Sequence, residues 1–123
     1  MTTPSKLTRD DLNRFSGGTE NYYRHGLNRN VLFTDGAKYV ADEGGAYWLL
    51  DIIAISQLHD KPLRRQPFQV WALAVQPDSS ATLTVEDGNY NRLLTQRIAF
   101  TDFPGAGITL WFSNNVIYLP VEH

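Results

Sequence analysis

Histidine and carboxylate are the side chains here with the most chemical reach. The sequence holds three histidines, His25, His59 and His123. None stands in an HxH or HExxH spacing. A metal site would need His25 and His59 to converge with carboxylates such as Asp35 or Asp60, and nothing in the spacing forces that. Read plainly, His25 is a surface residue and His59 sits at a helix end, where a cation suits the negative pole. Asp51 is the odd carboxylate, set among large apolar neighbours. If buried it needs a partner, or its pKa must rise. Arg24, Arg29 or a tyrosine could serve, which makes Asp51 a structural carboxylate.

The segment from Thr19 to Asn30 is the most varied, with Tyr22, Tyr23, Arg24, His25, Asn28 and Arg29. One reading is a surface crossing whose tyrosines lean on the core. The other is a binding edge, because Tyr and Arg are frequent hot-spot residues. The candidate binding set is therefore Tyr22, Tyr23, Arg24, His25, Arg29 and Asp51. No catalytic residue, metal ligand or cofactor is assigned. Gly44-Gly45 could offer N–H groups to an anion, but there is no GxxxxGK[ST], and Asp42 and Glu43 would repel a phosphate. GxSxG, SxxK and kinase patterns are missing as well.

Val31 to His59 must position these groups. Val31–Thr34 is a short apolar run, followed by Asp35-Gly36 and then Ala37–Ala41. Asp-Gly between two β-prone runs predicts a hairpin. Gly44-Gly45 would break the second strand, with Asp42 and Glu43 near a helix start. Ala46–His59 lacks proline and glycine, and its length predicts a helix. Its apolar residues spread around the whole wheel, so it needs cover on more than one side. The sheet supplies one side. The N-terminal segment or a second subunit must supply the other, around Trp48 or Leu50.

Before this stretch, Met1–Lys6 reads as a frayed start. Thr8 with Asp11 three residues on predicts a short capped helix that ends at Ser16-Gly17-Gly18. After it, Asp60-Lys61-Pro62 ends the long helix, and Arg64 and Arg65 fall in a polar loop. Pro67–Gln76 has apolar residues on both faces, which predicts a central strand covered on both sides. Ala81–Glu86 alternates, and Asp87-Gly88 predicts a second hairpin. In Tyr90–Phe100, Leu93 and Leu94 break the alternation and suggest a bulge. Ile108–Ser113 alternates, Asn114-Asn115 suits a tight turn, and Pro120 suggests that the last strand ends at a sheet edge. His123 falls at a frayed end.

The expected architecture is one α+β domain over 1–123, with a largely antiparallel sheet of about six or seven strands. One long helix packs on the sheet, and a short helix lies at the N-terminus. The length allows a real core. The net charge of −2 argues against broad phosphate binding. The chain has no cysteine, which rules out disulfides and thiolate metal sites and suits a reducing compartment. With no signal peptide and no membrane-length apolar run, the expected location is the cytoplasm, without membrane association.

The run YRHGLNRNVLFTDGAKYVADEGGAYWLLD, with the later FTDFPGAGITLWFSNNVIYLP, resembles a small bacterial single-domain family of unknown function. Its members are similar in length and occur in genomes rich in mobile elements. The resemblance implies no activity. It fits a non-catalytic accessory protein of mobile elements that binds a protein partner or itself as a homodimer, with aromatic residues at the contact. A single-stranded nucleic-acid module using the Tyr/Arg patch is the alternative, counted against by the acidic balance. An enzyme using Asp51, His25 or His59 has no supporting spacing.

Overall fold

The computed structural model describes residues 7–123, so the expected frayed start lies outside the described residues. Thr8 caps α1 (Arg9–Asn13) in the expected capping box with Asp11. Two three-residue strands follow, β1 (Tyr22–Arg24) and β2 (Leu32–Thr34). Helices α2 (Asp35–Gly44), α3 (Tyr47–His59) and α4 (Lys61–Arg64) come next. The second half is β3 (Phe68–Val75), β4 (Ala81–Glu86), β5 (Arg92–Ile98), β6 (Gly107–Ser113) and β7 (Val116–Tyr118), ending in a 3₁₀ turn at Pro120–Glu122.

The expected hairpin at Asp35-Gly36 is a helix start instead. Thr34 caps α2 by accepting from the Ala37 N–H at 3.2 Å. Ala37, Val40, Ala41 and Gly44 lie on the buried face, a helical spacing rather than a strand one. Asp42 and Glu43 therefore stand in the last turn of α2, not before a helix. Gly45 ends α2 in the left-handed conformation at φ 59°, where a glycine avoids the Cβ clash. The long helix begins two residues later, at Tyr47, close to where its length placed it.

The seven strands form one sheet in the order β1-β2-β7-β6-β3-β4-β5. It is antiparallel except for the parallel pair β2–β7. β7 therefore lies inside the sheet rather than at its edge, and Pro120 falls after the strand, where no ladder N–H is needed. The register slips between Val85 and Glu86, opposite Leu93, which is the expected bulge. Asn114 and Asn115 make the last turn with φ 52° and 64°. The chain at Asp60–Arg65 is not a bare loop. Asp60 caps α4 through the Leu63 N–H, and Leu63 is buried.

One core runs through the molecule. Leu49, Leu50, Ile53 and Ala54 of α3 meet Trp71, Leu73, Leu83, Val85, Leu110 and Phe112 of the sheet. Leu50, expected on an uncovered side, is thus buried, while Trp48 and Ile52 are only partly so. Inside this core Gln57 and Gln69 bond to each other in both directions, at 2.9 and 3.0 Å. Gln69 also takes the Trp71 Nε1–H at 2.9 Å and donates to the Leu63 carbonyl at 2.8 Å.

β3 is central, but it is covered on one face only. Gln69, Trp71 and Leu73 are buried, whereas Phe68, Val70 and Ala72 are half-buried and Ala74 is exposed. Register carries that open face across the sheet, since Val70 lies beside Trp111 and Trp111 beside Tyr118. Its residues on β3, β4 and β6 are all at least partly exposed.

Candidate functional site

The expected Tyr/Arg patch is divided by the pleat of β1. Tyr22 and Arg24 point to the open face, and Tyr23 points to the other. The Tyr23 ring stacks on Phe33 with centroids 5.5 Å apart, and its hydroxyl donates to Asp35 Oδ1 at 2.9 Å. Arg24 Nη1 donates to the carbonyl of Arg29, which closes the turn between β1 and β2. Tyr22, at 59% exposure, is the one tyrosine of the pair left free for contact.

His25 is not on the surface; it is 4% exposed. Its Nδ1 accepts from the N–H groups of Leu27 and Asn28, both at 3.1 Å. That fixes the proton on Nε2, which donates to Asp51 Oδ1 at 2.8 Å. Asp51 is paired with His25 rather than with an arginine or tyrosine, and its side chain is 46% exposed rather than buried. Asn28 adds a bond to the Ala54 carbonyl at 2.8 Å. Together these bonds pin the 25–28 turn to the outer flank of α3. A His–Asp pair resembles half of a proton relay, but both ring nitrogens are engaged here, so neither offers a lone pair to a substrate. Asp51→Asn should therefore cost under about 1 kcal/mol, since its Oδ1 still accepts from Nε2. His25→Ala should cost about 2–3 kcal/mol by leaving two backbone N–H groups without a partner. Urea unfolding of the two variants measures the difference.

Asp35, at the first turn of α2, gathers the 19–23 segment. It accepts from the N–H groups of Glu20 at 3.0 Å and Asn21 at 3.1 Å, besides the Tyr23 hydroxyl. Burial works to raise its pKa, but the bonds from Tyr23, Glu20 and Asn21 outweigh it and hold the carboxyl below the usual carboxylate range. The same contact raises the Tyr23 hydroxyl. A carboxyl with its folded pKa depressed stabilises fully above its unfolded value of about 4, and that contribution is lost as pH falls through the folded value. Unfolding stability measured against pH should fall below about pH 4. Asp35→Asn should flatten that fall.

A row of aromatic rings occupies the open face. Trp111 lies at its centre, with ring centroids 5.2 Å from Phe68, 6.1 Å from Tyr118 and 5.6 Å from His123. His123 is packed rather than frayed, stacking on Tyr118 at 18°. Beside this row opens a cavity of about 440 Å³, bordered by Tyr22, Thr34, Ser113, Tyr118, Glu122 and His123. Tyr118 and Ser113 share a hydroxyl hydrogen bond at 3.0 Å. Glu122 accepts from Thr34 Oγ1 at 2.6 Å, the Leu119 N–H at 2.8 Å and the Gly36 N–H at 3.1 Å. Its carboxylate thus serves the N-terminus of α2 from the end of the neighbouring strand. Among the described residues, no group of three or more His, Asp or Glu could hold a metal ion.

The family model described as a family of unknown function (DUF6876) matches residues 6–123. The chain belongs to this family. No curated protein and no solved structure matches the chain. The family assigns no activity, so the reading of the open face rests on its own geometry. Sequence reasoning missed this face although the signal was visible. Phe68–Val75 is apolar on both sides, and one of those sides belongs to solvent. No helix among the described residues is long and apolar enough to cross a membrane.

Proposed function

We propose that this protein is a non-catalytic binding protein that docks a protein partner on the open face of its sheet. The observation that carries this reading is Trp111, partly exposed between Phe68, Tyr118 and His123 at the middle of a face that no α-helix among the described residues covers. Large aromatics that are ordered before binding lose little conformational freedom on contact, which is why they dominate binding hot spots. Tyr22 and Arg24 extend the face to β1, so two of the six expected binding residues stay in the site. The resemblance fits an accessory protein of mobile elements whose partner is a host protein. A chain without cysteine is at home in the reducing cytoplasm.

A photo-crosslinking residue at Thr109, in the native host, tests this. An adduct of one discrete protein mass, lost on Trp111→Ser while the fold persists, supports the reading. Lack of any adduct at Thr109, or one indifferent to Trp111→Ser, refutes it. A second reading is single-stranded nucleic acid. Arg92 and Arg97 fall on the same open face as Arg24, through their pairing with Glu86 and Thr82. Bases could stack on Trp111. Against it stands the net charge of −2. A gel shift with single-stranded homopolymers that weakens steeply with salt would favour this second reading.

A further inference from the structure

We infer that the outer edge of β5 is a self-association site, where a second copy of this chain pairs its own β5 antiparallel. Among the described residues, β5 ends the sheet and pairs only with β4. Natural edges are blunted by shortness, proline, lysine or a cover. β1, the other edge, is three residues long. β5 has seven residues, with neither proline nor lysine, and its bulge affects only its first residues. The core also stops uncovered at this edge. Leu94 and Ile98 are half-buried on the helix side, next to the partly buried Trp48 and Ile52 of α3. Phe100, just past β5, is 71% exposed. It borders a hollow of about 360 Å³ with Trp48 and Ile98.

The sequence of β5 selects the occupant. A two-fold axis normal to the sheet keeps both sets of helices on one side, and it sets each residue opposite one on the same face. With the axis at Gln96, Leu94 meets Ile98 of the partner subunit, and Ile98 meets Leu94 of the partner subunit. Thr95 then lies opposite Arg97 of the partner subunit. Moving the axis to Arg97 would oppose two like charges, and moving it to Thr95 would set Leu94 against glutamine. Of these three axes, the one at Gln96 alone gives apolar pairs on the helix side without an Arg–Arg contact. Seven residues span about 23 Å, and a sheet with its helix layer is roughly 20 Å deep. The contact would cover roughly 450 Å² on each copy, about 900 Å² in all, below the roughly 1,000 Å² of a stable interface and within the range of weak, transient ones. Such a dimer is reversible, and closed two-fold pairs are the commonest assembly.

Light scattering from about 1 to about 200 µM tests it, because a reversible dimer follows mass action. The mass of the native chain should climb from 13.9 kDa towards twice that value. Gln96→Lys, at an exposed position, should hold the monomer mass at every concentration while thermal unfolding at the lowest concentration, where the native chain is also monomeric, stays unchanged. The chain has no cysteine, so Gln96→Cys gives a single thiol that faces its own copy across the axis. Oxidation should link it into a covalent dimer faster than it links Thr95→Cys or Arg97→Cys. A native chain that stays monomeric throughout overturns the proposal. So does a dimer that Gln96→Lys leaves intact, or one linked equally well at all three positions.

Discussion

Gln69→Leu should destabilise the protein by about 2–6 kcal/mol, because two buried groups lose their partner together at about 1–3 kcal/mol each. The Trp71 indole N–H and the Gln57 side-chain carbonyl depend on Gln69, while the Leu63 carbonyl keeps the Gln66 N–H and Gln57 Nε2 keeps the Ile53 carbonyl. Leucine matches the volume but supplies no donor or acceptor, and Gln69 has no solvent exposure through which water could stand in. Urea unfolding with an unchanged denaturant slope would assign the loss to the native state. Adding Gln57→Leu should recover part of it, since one orphaned carbonyl is removed. Strict additivity of the two substitutions would show that they do not act as a pair.

Ile53→Ala should cost about 2–5 kcal/mol through lost apolar contact and the cavity left behind. Ile53 has no exposure and lies on the α3 face that meets the sheet. Ile52, its chain neighbour, is partly exposed, so Ile52→Ala should cost distinctly less. The contrast tests which side of α3 faces in. A loss below about 0.5 kcal/mol at Ile53 is typical of a surface position and would contradict that packing.

The long helix and the second half of the sheet were legible because length and alternation are local signals. The Asp35-Gly36 start of α2 was misread because two local signals compete there. Asp-Gly favours a hairpin turn, while Thr34 and the later spacing of Ala37, Val40, Ala41 and Gly44 favour a capped helix. The deciding contact is distant in sequence. A Cβ at Gly36 would come within 2.5 Å of Glu122 Oε1. That glycine gives a carboxylate room to approach the helix, and its φ is not in the left-handed region that a type I′ turn requires. Asp51 was recognisable as a carboxylate needing a partner, yet His25 lies in another element and could not be found by spacing. The open face escaped notice for a related reason. Apolar residues on both sides of a strand show that both are sticky, not that the chain has enough helix to cover both.

The pairing of β2 with β7 also bears on how the molecule is made. Leu32 lies beside Val116 and Phe33 beside Ile117, and the helix that follows them is capped by Glu122. During synthesis, β1, β2 and α2 leave the ribosome long before the strand and carboxylate that complete them. The sheet cannot close in order of appearance. The N-terminal third must wait, with its apolar side uncovered, for the last strand to arrive. A loop that long adds only modestly to the entropy of closure, but topologies dominated by distant contacts fold slowly. Nascent chains halted before Val116 should therefore remain protease-sensitive across their N-terminal third, however complete that third already is.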